Sequence, residues 1–286
     1  MTLPQAAGEA LAWARAQLKN TAGAEPLDAA ILLAHVLAVP RVELLAHPER
    51  PLSAEQAARF AGLVARRATG MPVAYLTGRR AFYDRELFVS PAVLIPRPET
   101  ELLVEAALAW AQGRAGLRVA DVGTGSGAIA VTLAAHLPDA RVHAVDCSPE
   151  ALAVARENAD RAGVAGRIVF YEGDLLGPLL EAGVMLDLIA ANLPYIPTDD
   201  LAALEVARHE PRLALDGGPD GLDAIRRLLA QAPRALAASG LVLLEIGAGQ
   251  GERAAALAAR AFPDAAIAVL PDYAGHDRVL RIERSG

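Results

Sequence analysis

The sequence predicts an α/β protein: a mostly parallel sheet with helices on both faces and one antiparallel insertion near an edge, preceded by a small helical domain and a β-hairpin linker. Three observations point there. Strand-like and helix-like segments alternate from Arg118 to the end of the chain, a glycine-rich turn follows the first of those strands, and the first seventy residues carry no strand pattern.

In the front segment, proline and glycine punctuate short helices. One ends near Asn20 and a second runs from about Pro26 to Ala38, ahead of Pro40. A third opens at Ser53, whose hydroxyl can cap the helix while Gln56 reaches back to it. Between Tyr75 and Ile95 the pattern shifts to short aromatic and β-branched runs, Ala81-Phe82-Tyr83 and Leu87-Phe88-Val89, separated by Asp84 and Arg85, which reads as a hairpin. Pro96-Arg97-Pro98-Glu99-Thr100 then leads into an apolar helix. The expected domains are therefore 1–74, 75–95 and 96–286.

Beyond residue 96, strands are expected at Arg118–Val122, Val142–Val145, Ile168–Tyr171, Leu186–Ala191 and Leu241–Ile246. Helices are expected at Ala128–His136, Pro149–Ala162, Leu222–Ala237 and Glu252–Phe262. Two closing strands, Ala266–Leu270 and Arg278–Ile282, follow the last helix so closely that one should insert antiparallel.

Composition narrows the function classes. Apolar residues make up 53% of the 286 and much of that share is alanine, so no run is long and apolar enough to span a bilayer. The N-terminus lacks a basic region followed by an apolar signal core, and a cytoplasmic protein without membrane association is expected. Cys147 is the one cysteine, which excludes an intrachain disulfide and argues against a metal site built of several thiolates. A net charge of −7 disfavours a tight non-specific grip on nucleic acid. The charge is uneven: residues 1–95 carry ten basic and eight acidic side chains, and residues 96–286 carry seventeen and twenty-six. The positive front segment can face a partner or be ordinary solvated surface.

Asp121-Val122-Gly123-Thr124-Gly125-Ser126-Gly127 joins a strand to a helix, where glycines let the backbone turn tightly against a ligand. The string satisfies the dinucleotide fingerprint and on its own suits a nicotinamide cofactor as well as S-adenosylmethionine. Asp146 closes the next strand, where a carboxylate can accept both ribose hydroxyls of an adenosine. Gly173-Asp174-Leu175 ends the third, so Asp174 can accept from an adenine amino group while Leu175 packs on the ring. Each acidic residue alone would equally serve as a turn cap; three at successive strand ends favour a ligand site.

The fourth strand runs into Asn192-Leu193-Pro194-Tyr195. The Asn192 side-chain oxygen and the Leu193 carbonyl can accept both N–H bonds of one planar NH₂ group, with Pro194 restricting the geometry. An amide nitrogen is a poor nucleophile because its lone pair is delocalised. Two acceptors hold it for in-line attack and stabilise the positive character that develops. Tyr195 can offer an aromatic face to the substrate or to a cationic centre.

With these motifs in place, the chain resembles the PrmC or HemK family, methyltransferases that modify the glutamine of the Gly-Gly-Gln loop in class I peptide chain release factors. The likeness runs the length of the chain through Leu94-Ile95-Pro96-Arg97-Pro98-Glu99-Thr100-Glu101, the glycine loop, Ala144-Val145-Asp146, the Asn192 tetrad, Glu210-Pro211-Arg212-Leu213-Ala214-Leu215, Gly218-Pro219-Asp220-Gly221-Leu222 and Leu244-Glu245-Ile246-Gly247. The resemblance implies a Rossmann-like class I methyltransferase sheet and S-adenosylmethionine as cofactor. It implies that Gly123 to Gly127, Asp146 and Leu175 bind that cofactor, with Asp121, Asp174 and Asn192 beside it, and that Asn192 to Tyr195 hold the glutamine. Arg97 and Glu99 would lie near the site or serve the start of a helix. The family usually has proline where this chain has Leu193; that residue contributes its carbonyl, and standing before Pro194 it is already biased to extended backbone. Some relatives carry an aromatic ring at the position of Leu175, which weakens the expected adenine contact here.

The expected partner is a class I release factor, met by a monomer through its helical front domain. Adenine-N6 methylation of nucleic acid is the alternative, since an exocyclic amino group presents the same two donors; the negative charge and the lack of a base-reading module weigh against it. A non-catalytic module docking on the translation machinery, or a nicotinamide oxidoreductase, would leave the tetrad unexplained.

Overall fold

The structure, a computed structural model, describes residues 4–285. Its backbone divides after Arg79 into two compact units. In the first, α1 (Ala7–Leu18), α2 (Asp28–Leu37), α3 (Arg41–Ala46), α4 (Ala54–Ala68) and α5 (Val73–Thr77) enclose a core that includes Leu11, Leu32, Leu33, Leu44, Phe60 and Val64. The capping box at Ser53 forms as expected, with Gln56 N–H donating to the Ser53 hydroxyl at 3.1 Å and Ser53 N–H donating to Gln56 Oε1 at 2.9 Å. A buried ion pair joins Arg67 on α4 to Asp28 on α2 at 2.7 Å. The expected hairpin segment does not begin at Tyr75. Pro72 and Gly78 bracket the helical turn α5, whose Leu76 is drawn into the helical core.

β1 (Arg79–Phe82) starts at the boundary residue and forms a hairpin with β2 (Arg85–Phe88), followed in the second unit by α6 (Thr100–Ala111). Strand and helix then alternate: β3 (Arg118–Val122), α7 (Ala128–His136), β4 (Arg141–Asp146), α8 (Pro149–Arg161), β5 (Ile168–Glu172), α9 (Gly177–Glu181) and β6 (Leu186–Ala191). Short 3-10 turns occupy much of 198–214, and the unit closes with α10 (Asp223–Ala235), β7 (Leu236–Glu245), α11 (Gly251–Ala261), β8 (Ala265–Pro271) and β9 (Asp277–Arg284). The seven strands lie in the order β5-β4-β3-β6-β7-β9-β8. β3 to β7 are parallel, and β9 is the antiparallel insertion, pairing with β7 on one side and β8 on the other. β7 starts five residues earlier than the sequence pattern suggests. The alanines after Leu236 read as helix, but Leu236 is buried and pairs with Leu186 across the sheet.

Period-two burial divides the sheet's side chains between two faces. Val119, Val142, Leu188 and Leu243 meet α6 and α7 on one face, with Phe82 and Leu87 of the hairpin in the same cluster. Ala120, Val145, Ile189 and Val242 meet α9, α10 and α11 on the other. On α10, Ile225, Leu228, Leu229 and Ala232 form the buried stripe, and each large side chain so covered contributes about 1.5–3 kcal/mol. No helix among the described residues is long and apolar enough to cross a membrane.

Candidate active site

β4 and β5 continue the sheet to one side of β3, and β6 and β7 continue it to the other. The loops leaving β3 and β6 therefore run apart, and a crevice opens at their carboxyl ends. Residues from the loops after β3, β4, β5 and β6 line it, together with Thr100 at the start of α6.

Gly123, Thr124, Gly125 and Ser126 form one wall. The Gly123 and Thr124 N–H groups donate to the Val145 carbonyl at 2.8 and 3.0 Å, folding the loop against the end of β4. Gly123 has φ +73, and a β-carbon there would stand 3.1 Å from a methyl of Leu193, so glycine lets this loop and the tetrad close on each other. Asp146 lines the crevice with Oδ2 accepting from Gly125 N–H at 2.8 Å and Oδ1 from Ser148 N–H at 2.9 Å. A carboxylate oxygen accepts more than one hydrogen bond, so both keep capacity for a diol. Asn158 on α8 donates to Ser126 O at 2.8 Å and to Phe88 O at 2.9 Å, tying the loop to the hairpin.

Two loop residues expected at the ligand lie elsewhere. Asp121 is fully buried behind the loop: Oδ2 accepts from Thr124 Oγ1 at 2.7 Å and from Ala130 N–H at 2.9 Å, while Oδ1 has no partner. Burial, opposed by those two bonds and helped by the charge of Asp146, pushes its carboxyl up to about 7. Its side chain braces the loop, since β3 is buried on both faces and the carboxylate is held by Thr124 of the loop and Ala130 of α7. Gly127 caps α7 and likewise does not line the crevice.

Asp174 and Leu175 do line it, and Asp174 is ion-paired with Arg227 of α10, which lines it too. Leu175 sits at φ +52, a left-handed conformation costly for a branched side chain, and Gln231 holds the adjoining turn by accepting from Leu176 N–H at 2.8 Å. The donors and surfaces present fit an adenosyl group: a carboxylate with spare acceptors at one strand end, an apolar side chain and a second carboxylate at the next, and a glycine wall a larger residue would fill.

At the end of β6, Asn192 Nδ2 donates to Thr100 Oγ1 at 3.0 Å, and Thr100 donates in turn to Glu245 Oε2 at 2.6 Å. Among the described residues nothing donates to Asn192 Oδ1 or to the Leu193 carbonyl. Tyr195 departs from expectation: its ring does not line the crevice, and its hydroxyl donates to Glu245 Oε1 at 3.2 Å. Burial, followed by the adjacent Glu245 charge, raises the Tyr195 phenol well above its ordinary value, and burial also raises the Glu245 carboxyl. The tetrad's backbone is held from behind. Gln250 Nε2 donates to Tyr195 O at 3.0 Å, and Gly221, at φ +76, approaches so closely that a β-carbon would stand 2.3 Å from that carbonyl.

Arg97 does not face the crevice either. It pairs with Glu210 at 2.5 Å, and Glu210 also accepts from Ile95 N–H at 3.0 Å, joining the walls that contain Leu94 and Pro211. Glu99 occupies the N-cap of α6. Sequence reasoning assigned no role to Thr100, Asn158, Glu210, Glu245 or Gln250. For Glu245 a signal existed, an acidic residue ending the apolar run Leu241-Val242-Leu243-Leu244; it is 1% exposed.

A family model for the PrmC N-terminal domain matches residues 9–78, and one described as a methyltransferase domain matches residues 119–209. Among solved structures, a methyltransferase from Pyrococcus furiosus superposes with a TM-score of 0.53 at 18% identity, covering 82% of this chain and all of that one, a likeness of fold. The release factor glutamine methyltransferase of Bacillus anthracis is 42% identical over 280 residues, 96% of this chain and 98% of that one. That of Moorella thermoacetica is 48% identical over 279 residues, 97% of each chain. With identity at this level from end to end, the chain belongs to the release factor glutamine methyltransferase family.

Proposed function

We propose that the protein methylates the side-chain amide nitrogen, N5, of the glutamine in the Gly-Gly-Gln motif of class I peptide chain release factors. The observation that carries this reading is the state of the acceptors at the end of β6. The amino end of Asn192 is engaged by Thr100, while its oxygen and the Leu193 carbonyl are left without donors. Two free acceptors on neighbouring residues suit a planar NH₂ group, which has two hydrogens to give.

S-adenosylmethionine supplies the electrophilic methyl carbon when bound. The chain's part is to hold and exclude. Asp146 and the glycine loop orient the adenosine, with Asp174 and Leu175 at the base. Asn192 and Leu193 hold the carboxamide so that its nitrogen lone pair points at the methyl carbon. As the new C–N bond formed at the expense of the methyl–sulfonium bond, with S-adenosylhomocysteine as leaving group, positive character on nitrogen would be stabilised by the same two oxygens, and the nitrogen's proton would then pass to solvent. Residues 1–74 are assigned to gripping the release factor, 75–95 to the linker and 96–286 to catalysis. The enzyme acts as a monomer in the cytoplasm, without contacting nucleic acid.

The test is intact-mass measurement of a release factor after incubation with the protein and S-adenosylmethionine. The expected result is a gain of one methyl group, mapped to the Gly-Gly-Gln peptide. Methylation of a DNA oligonucleotide with none on the release factor would overturn the assignment.

A further inference from the structure

An asparagine carboxamide has two faces of opposite character, and the proposed chemistry works with only one. If Asn192 presented its NH₂ group to the crevice, it would confront a substrate amide with donor against donor. Something must set the orientation, and the structure supplies a chain of proton commitments that does so.

Glu245, at the end of β7, is buried, and its two oxygens each accept one hydrogen bond, from Thr100 and from Tyr195. A threonine hydroxyl has one proton. With that proton given to Glu245 Oε2 at 2.6 Å, Thr100 can only accept from Asn192, and the bond of 3.0 Å is donated by Nδ2. The Asn192 oxygen is then the end left for the crevice, whose lining includes both Thr100 and Asn192. Thr100 is 4% exposed, so water has little opportunity to substitute in this chain.

We infer that Glu245 is a positioning residue which, acting through Thr100, keeps the Asn192 oxygen turned toward the methyl acceptor, so that the site admits a primary carboxamide and rejects a carboxylate. The inference rests on the assignment of Asn192 as an amide acceptor given above. It extends that assignment to specificity, because a glutamate in place of the substrate glutamine would set its oxygens against two protein oxygens with no proton between them.

The neutral replacement Glu245→Gln keeps the shape but can itself donate to Thr100. The threonine proton is then released to Asn192 Oδ1 and the carboxamide turns over. Full-length variants are compared on two Gly-Gly-Gln peptides, one of natural sequence and one with glutamate in place of glutamine. Expected for Glu245→Gln is a fall in kcat of about a hundredfold with the S-adenosylmethionine dissociation constant within about twofold. Calorimetry without cofactor should show the preference for the glutamine peptide over the glutamate peptide shrinking by about tenfold or more. A purely structural role for Glu245 would not move that ratio.

If Glu245→Gln fails to fold, Thr100 decides the matter. Thr100→Val keeps the volume and removes the link, and should lose both turnover and preference; Thr100→Ser restores the hydroxyl and should return kcat to within about threefold. Wild-type protein that transfers no methyl to the glutamine peptide or to an intact release factor would remove the functional assignment itself. Active wild type alongside Glu245→Gln or Thr100→Val with unchanged kcat and unchanged peptide preference would overturn this inference and leave the function standing.

Discussion

The two ends of the crevice are built on different principles. At the β4 and β5 end the polar groups are near water: the side chains of Asp174 and Arg227 are 56% and 57% exposed, and Asp146 is only partly covered. At the β6 end the polar groups form a chain that runs from half-buried Asn192 to the buried pair Thr100 and Glu245. Exposed carboxylates lose little on waiting for a ligand, since water satisfies them, and they suit binding. A buried chain has its protons assigned in advance and suits chemistry, where a misdirected donor is costly in a low-dielectric surrounding.

Substitutions at the two ends should therefore fail in different ways. The largest effect is expected for Asn192→Ala, a loss of about 10²–10³ in kcat with cofactor affinity nearly unchanged, measured by single-turnover methylation alongside calorimetry. Asp146→Ala should show the converse pattern. Its cofactor dissociation constant should rise by roughly 10–100-fold, the value of charge-assisted hydrogen bonds to a diol, while kcat at saturation changes little. Equal losses in kcat for both variants would erase the contrast between the ends.

Asp121 sharpens the comparison, as a buried carboxyl on the cofactor side. Its folded value of about 7 stands above its ordinary 3.8. Its contribution to stability is accordingly whole below about pH 4 and is lost as pH rises toward 7. Asp121→Asn removes the titration. In paired thermal melts the variant should gain steadily on the wild type as pH rises from 4 to 7, and parallel pH profiles would show that Asp121 is not the group responsible. The smallest effect is expected for Arg227→Ala. An ion pair this exposed contributes under about 1 kcal/mol, so melting should barely move and cofactor affinity should stay within about threefold.

The residues that touch the crevice were mostly readable from the chain, because they sit where local pattern locates them. Gly123 to Ser126 lie in a strand-to-helix turn, Asp146 and Asp174 at or just beyond strand ends, and Asn192 where an apolar strand meets a proline. The residues that hold those groups in place were not. Glu245 reaches Thr100 across 145 positions of sequence, Glu210 reaches Ile95 across 115, and Asn158 reaches Phe88 across 70. No periodicity links such pairs.

The sheet's alternation, the capping box at Ser53, the antiparallel insertion and the acceptor tetrad follow from local chemistry, in which each residue's neighbours suffice to state its role. Tertiary packing decided that Asp121 turns inward as a brace, that the Tyr195 hydroxyl meets Glu245, and that α5 runs past residue 74 into the segment expected to open the hairpin linker. The physical reason is common to all three. Burial and hydrogen-bond partners come from segments distant in the chain, and the free energy of a polar side chain depends on what surrounds it in space.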